Sequence, residues 1–363
     1  MLKGKLSLSK AGLFGFCLVL ALASCATESR TLVPAGFAAT PQPGWTRTGQ
    51  HASFPDSAYL TAVGSGASRQ AAERDALGRL VSIFGIDVRV DVRVRESYRN
   101  MGGGGAGTHQ IEFDEDIVTG AGMDNLIGVE VGDSWSDGRN SHALVVMNRA
   151  RATQIYTEMI RANLEIIDGL TNMPAAERNT LGGFSRHQTA AVFADMNTSY
   201  AALLSVIGSP QQGLRRGDDF RREAQEIAAA IPISININND RAGRIQSAFA
   251  RSFSDLGFRT GGANQRYALN VNIVTYQTDH QNVNVFARML LSADLTDTRT
   301  GAVLLPYSFN HREGHTSWQL AEDRAFMVAE QLINGTHRDN RERNIPAYRD
   351  LLEDFLFQLI PQR

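Results

Sequence analysis

The sequence predicts an α+β protein: two small α+β domains, each a mixed or antiparallel sheet with packed helices, joined by a helical segment. Three observations lead there. Runs such as Ile86 to Val94 and Ile231 to Asn238 alternate apolar and polar residues, the period of a half-buried strand. Between such runs the apolar spacing changes to three and four, the period of a helix face. The stretch 168–230 carries the helical period alone. With 363 residues, 43% of them hydrophobic and 20% charged, the chain has the profile of a globular protein of about two domains. The expected segments are 1–24, an export signal; 25–44, a flexible tether; 45–167, the first domain; 168–230, a helical connector; and 231–363, a second module with a C-terminal helix.

Lys3, Lys5 and Lys10 precede the apolar run Ala11 to Leu22, matching the charged and apolar regions of an export signal. The run is too short to span a bilayer permanently. It ends in Leu22-Ala23-Ser24-Cys25, which resembles the lipobox of bacterial lipoproteins. That resemblance implies cleavage between Ser24 and Cys25 by signal peptidase II, with lipid on the thiol and amino group of Cys25. Ala26 follows, rather than the aspartate that retains many such lipoproteins at the inner membrane, so the resemblance implies an outer-membrane anchor facing the periplasm. The two cysteines of the chain are Cys17, within the removed segment, and Cys25, so the mature chain forms no internal disulfide. From Ala26 to Gly44 the chain is rich in Ala, Thr and Pro without apolar periodicity, and a flexible tether of that length reaches about 25 Å.

In the first domain, Tyr59 to Gly64 reads as a strand, and Ser68 caps a helix from Arg69 to Phe84 with Ala76, Leu77, Leu80, Val81 and Phe84 as its stripe. Ile86 to Val94 is the next predicted strand. Another begins at Leu126 and runs through Val129 and Val131, and Asp137-Gly138 turns the chain into Ala143 to Met147 as a hairpin. A helix from about Arg149 follows, with Ile155, Met159 and Ile166 on one face and Gly169 as its C-cap. Gly64-Ser65-Gly66, with Asp87 some way on, makes two thirds of a dinucleotide fingerprint. Arg69 stands at the third glycine position, so we expect a tight turn and helix cap there and no nucleotide cofactor. The run Gly102 to Gly105 and the acids Glu112, Asp114, Glu115 and Asp116 read as a hairpin insertion with a solvated acidic loop, lacking a calcium-loop pattern.

The run Tyr59 to Ser68, the Ala-rich helix after it, the alternating strand and the helix start at Asn148-Arg149 resemble the LPP-twenty family of bacterial lipoproteins. A similar domain stands at the N-terminus of the flagellar assembly protein T. The resemblance covers about one third of the chain and implies a non-catalytic α+β domain of an envelope lipoprotein.

In the connector, Phe193, Met196, Tyr200, Leu203 and Ile207 form one amphipathic helix ending at Gly208-Ser209-Pro210. Asp218 or Asp219 starts a second through Phe220, Ala224 and Ile227. In the last module, the Ile231 to Asn238 strand carries Pro232, which suits a sheet edge. A helix through Ile245, Phe249 and Leu256 is capped by Gly257, and three strands follow: Tyr267 to Thr275, Val283 to Leu295 and Val303 to His311. Thr316 and Gln319 have capping-box spacing for a helix with Ala321, Ala325, Val328 and Leu332 inward, and Pro346 opens a last helix with Tyr348, Leu352, Phe355 and Leu359. This βαβββα order resembles small periplasmic modules such as the N-terminal domain of TolB, the middle domain of flagellar assembly protein T and the curli secretion lipoprotein.

Composition narrows the chemistry. All three lysines lie in the first ten residues, which excludes Schiff-base and phosphate-loop lysine chemistry from the rest of the chain. Arginines and acids are interspersed, the formal charge is −2, and no basic stripe is offered to nucleic acid. The sharpest chemical motif is His311-Arg312-Glu313-Gly314-His315: in an extended strand, His311, Glu313 and His315 share one face and suggest a metal site. It is not the helical zinc-protease motif, because Arg312 stands where that motif has its glutamate, and we read it as a polar strand end. The expected protein is therefore not an enzyme: it is a lipoprotein held at the membrane by its N-terminal lipid, acting with other envelope proteins in a flagellar, cell-wall or secretion assembly and needing no cofactor. Two alternatives stand beside it. One is a metal-dependent hydrolase using His311, Glu313 and His315; the other is an oligomeric secretion-pore lipoprotein, for which only Val283 to Leu295 approaches the required barrel hairpin.

Overall fold

The computed structural model describes residues 41–84, 126, 128–278, 284–338, 340 and 345–360. Gln42–Arg363 forms one compact unit. Ser24, Cys25, the Ile86 to Val94 strand, Asp87, the Gly102 to Gly105 run and the acids at 112–116 lie outside the described residues.

The unit begins with a single turn, α1 (Trp45–Thr48), that buries Trp45. Then come β1 (Tyr59–Gly66), α2 (Arg69–Ile83), β2 (Val129–Ser136) and β3 (Ser141–Asn148), with antiparallel order β1-β3-β2. Central β3 buries five consecutive residues, Ala143 to Met147. Ala143, Val145 and Met147 enter the core under α2, while Leu144 and Val146 meet Trp45 on the opposite face, so the strand is covered on both sides. Asp137 tightens the β2–β3 turn by accepting from the Arg139 and Asn140 amides, and Gly138 takes a φ of 88°.

The glycines of the partial nucleotide motif are not in a turn, as expected, but inside β1. A Cβ at Gly64 would collide with the Ala76 nitrogen and the Ala72 carbonyl, and one at Gly66 with Ala71. They let α2 lie directly on the strand. Ser68 caps that helix, accepting from the Ala71 amide at 3.2 Å, and its buried line is Ala72, Ala76 and Leu80, continued by Phe84. Asp75 then ties helix to strand: its carboxylate accepts from the Ser65 amide at 2.9 Å and lies 3.1 Å from Arg79.

Asn148 caps α3 (Arg149–Thr171), accepting from the Arg151 amide. The buried line is Ala152, Tyr156, Ile160, Ile167 and Leu170, one position removed from the expected Ile155, Met159 and Ile166, because Tyr156 is turned onto Tyr200 of the next long helix, rings 5.7 Å apart. Gly169 is not the C-cap; Leu170 packs into the core and carries the helix on to Thr171. After the short α4 (Ala175–Arg178) come α5 (Leu181–Val206) and α6 (Gly217–Ala230). Leu181 and Phe184 of α5 enter a second core, whereas its Phe193, Met196, Tyr200 and Leu203 enter the first. On α6, Phe220 enters the first core, and Ala224 and Ile227 the second. The 168–230 stretch is thus the shared wall of both cores.

The second sheet has order β4-β5-β6-β7, from β4 (Ile233–Asn238), β5 (Tyr267–Thr278), β6 (Val285–Asp297) and β7 (Ala302–His315). The β4–β5 pair is parallel and the others antiparallel, with α7 (Arg244–Asp255) as the crossover and α8 (Trp318–Ile333) following β7. This is the βαβββα order, with β4 at an edge. The apolar face of β6 (Ala287, Met289, Leu291, Ala293 and Leu295) lies wholly in the second core. Several boundaries differ from expectation: β4 begins at Ile233, so Pro232 precedes the strand instead of lying in it, and β5 and β6 run on to Thr278 and Asp297. β7 runs on to His315, paired with Val285, so Ser317 rather than Thr316 caps α8. The last helix, α9 (Tyr348–Gln358), starts two residues after Pro346 and buries Leu356 rather than Phe355 or Leu359.

Gly64→Ala is expected to destabilise the protein by about 2–3 kcal/mol because backbone must move, while Gly138→Ala, strained in φ but in open space, costs about 1 kcal/mol; chemical denaturation of both checks the contrast. The Ser65 amide holds the Asp75 carboxyl below its ordinary value. Folding therefore favours the ionised form, and this contribution is complete above the ordinary carboxylate range and lost as pH falls through the lowered value. The Tm deficit of Asp75→Asn should accordingly be full near neutrality and shrink in acid.

Candidate functional site

The chemistry-bearing residues of the second module meet at the free edge of β7, beside α8. A cleft of about 610 Å³ opens there, lined by Arg288 of β6, Asn310 to Glu313 of β7, Arg324, Met327, Val328 and Gln331 of α8, and His337 and Arg338 just beyond that helix. Alternation along β7 turns His311 and Glu313 toward α8, and Asn310 and Arg312 to the other face of the sheet.

Within the cleft the polar groups orient one another. His311 Nε2 lies 2.7 Å from Glu313 Oε1, and Arg324 Nε approaches Glu313 Oε2 at 2.6 Å, so each carboxylate oxygen has its own partner. The His311 ring meets His337 edge-on at 5.8 Å. On the opposite face Arg288 donates through Nε to Asn310 Oδ1 at 2.8 Å, and the Arg312 guanidinium lies 5.2 Å from the Phe286 ring centre.

Of the three sequence-predicted metal candidates, the structure brings together His311 and Glu313. His315 takes a separate partner: its Nδ1 accepts from the Thr316 amide at 2.9 Å. Among the described residues, no three His, Cys, Asp or Glu side chains are grouped to hold a metal ion. Each carboxylate oxygen of Glu313 is engaged, one by a histidine and one by an arginine. Sequence reasoning missed Arg288, Arg324, Gln331, His337 and Arg338. Register and helix placement join them to His311 across the fold; the one local signal was a strand, Asn310 to His315, polar on both faces.

Elsewhere the buried polar groups serve the fold. Asn163 donates to Asn197 at 2.8 Å between α3 and α5. Glu322, buried on α8, accepts from the Thr275 hydroxyl at 2.6 Å and pairs with Arg241 at the same distance. The Tyr307 and Tyr348 rings pack 5.4 Å apart, and burial pushes both phenols well above their ordinary value, so they stay neutral.

No protein-family model matches the chain, and no curated protein matches it in sequence. Neither comparison confirms the resemblance of the first domain to the LPP-twenty family or of the second module to TolB-like modules. Among solved structures, a secreted protein from Helicobacter pylori is similar over 75% of this chain and 96% of its own, at 14% identity and a TM-score of 0.38. A minor lipoprotein from Acinetobacter baumannii is similar over 32% of this chain and 96% of its own, at 12% identity and a TM-score of 0.23. A lipoprotein from Neisseria meningitidis covers 29% of this chain and 99% of its own, at 16% identity and a TM-score of 0.20.

Protein dialysed against a chelator is expected to melt at an unchanged temperature and to recover no stoichiometric zinc, as read by a thermal shift together with metal analysis. A lowered Tm restored by zinc would return His311 and Glu313 to the role of metal ligands.

Proposed function

We propose that this chain is an exported lipoprotein, anchored by lipid on Cys25 in the outer membrane, whose folded unit faces the periplasm and binds other envelope components without catalysing a reaction. The observation that carries this reading is Leu22-Ala23-Ser24-Cys25, directly after the lysine-flanked apolar run Ala11 to Leu22. The arrangement downstream supports it. Cys25 is followed by a proline-bearing sequence without apolar periodicity, the composition expected of a tether. Among the described residues no helix is long and apolar enough to cross a membrane. Lipid on one cysteine supplies the attachment that such a helix would otherwise give, each buried methylene adding about 0.8 kcal/mol. The resemblance to the LPP-twenty family points to flagellar, cell-wall or secretion assemblies as the partner class.

Cys25→Ala should abolish acylation in intact-mass spectra and release the protein from the membrane fraction. An unacylated wild-type chain, or a variant that still partitions with membranes, would overturn the anchor. Crosslinking in intact cells, followed by purification and mass spectrometry, should enrich one envelope machine reproducibly; recovery of abundant porins alone would overturn the partner reading.

A further inference from the structure

The face of the second sheet turned away from the core carries chemistry that the proposed anchor does not use. Strand pairing aligns its side chains in rows that cross all four strands. One row is Asn238 of β4, Asn272 of β5, Ser292 of β6 and Ser308 of β7, each directly opposite the next. They share the outer face because Ile237, Ile273, Leu291 and Tyr307, one residue away in each strand, pack with the core. All four are exposed. Among the described residues, none of the four has a side-chain hydrogen-bond partner. The amides of the neighbouring rows do have partners: Asn236 donates to Asn270 at 2.9 Å, and Asn310 accepts from Arg288 at 2.8 Å.

Beside this polar row runs an apolar one. Val274 and Leu290 stand opposite each other, both exposed, and Tyr276 follows on the same face of β5. The polar row and the Val274–Leu290 row carry no charge. The nearest charges on the face stand one row to either side, Asp294 on one and Arg288 with Arg312 on the other. Three strand spacings make each row about 14 Å long, and successive rows lie about 7 Å apart. The face therefore sets a line of groups that each donate and accept next to a strip of apolar and aromatic surface. An apolar partner laid here would strip water from the four polar groups and give nothing back. A charged partner would meet no opposite charge along the row. A carbohydrate chain answers both strips, because its hydroxyls donate and accept while the C–H edges of its rings are apolar.

We propose that this face binds a neutral oligosaccharide whose equatorial linkages extend it as a ribbon across the strands. Its hydroxyl or acetamido groups bond to Asn238, Asn272, Ser292 and Ser308, and its rings lie against Val274, Leu290 and Tyr276. An open sheet face can contact an extended ribbon along its whole length, whereas a coiled chain would touch it in part. The inference goes beyond the anchored-lipoprotein reading by naming a ligand chemistry, and it holds whether or not Cys25 carries lipid.

The test is titration calorimetry of the full chain with chitopentaose, in a neutral detergent whose headgroup is not a sugar. One saturable site is expected, with an affinity unchanged by ionic strength because the ligand is uncharged. Asn272→Ala combined with Ser292→Ala removes the two central polar groups and should lower the affinity at least about tenfold, the loss expected for two hydrogen bonds. Tm should not change, since neither side chain bonds within the described protein. Tyr276→Ala should also weaken binding, and it carries the test if the double variant melts early. Maltopentaose, a chain that coils, should bind more weakly than chitopentaose. Absence of saturable binding, equal affinity for the two sugars, an affinity that falls with salt, or one unchanged in both variants overturns the proposal. So does a dimer in light scattering that Val274→Asp with Leu290→Asp dissociates while chitopentaose fails to bind; that outcome gives the face to a second copy of the chain. Cys25→Ala protein should bind chitopentaose as the wild type does, so the anchor and the sheet face stand or fall separately.

Discussion

The rest of the structure depends on α5 being buried around its circumference. A helix covered on one side can keep its polar residues in water, but α5 gives one end to the core of the second sheet and the other to the core under α2 and α3. Its polar residues must find partners inside the protein. Ser185 returns a hydrogen bond to the Leu181 carbonyl, His187 bonds the Gly183 carbonyl through Nδ1 at 2.8 Å, and Asn197 receives one from Asn163. The first two bonds stay within α5, whereas the Asn163–Asn197 bond crosses to α3 and fixes how the two helices face each other.

From that wall the second sheet extends outward, and the cleft is a consequence of where the sheet stops. β4 and β7 are its edges. α7 and α8 cover one face, leaving the other with exposed Val274, Tyr276 and Leu290. An unpaired strand as long as β7 invites pairing with another chain unless something blunts it. Pro306, Arg312 and the charged groups around Glu313 do so, and α8 supplies Arg324 from the side. The same charged groups line the pocket. The Glu313 carboxylate sits between His311 and Arg324, one partner at each oxygen, so removing Glu313 leaves the Arg324 guanidinium without that anion.

Much of the architecture was legible in the residues. The alternation in β4, the spacing in α2, α5 and α6, the cap at Ser68 and the Asp137-Gly138 turn are local signals, since a strand or helix face is written within a few residues. Failures came where a distant group chose between local options. Gly169 looked like a helix end until Leu170 was drawn into the core, and Gly64 and Gly66 looked like a turn until α2 was laid on them. Thr316 lost the capping role to Ser317 because pairing with Val285 kept His315 in the strand.

The sequence by itself determined the α+β class, the order of elements in the second module and the lysine-free character of the folded part, because composition and periodicity act locally. Of the candidate site it showed His311 and Glu313 on one face of a strand, and no more. Tertiary structure alone decided that Arg288 of β6, Arg324 of α8 and His337 would surround them, and that His315 would not. The reason is physical: strand register and helix docking are set by burial of apolar faces far from the cleft, and they carry the charged residues to positions that no local pattern encodes.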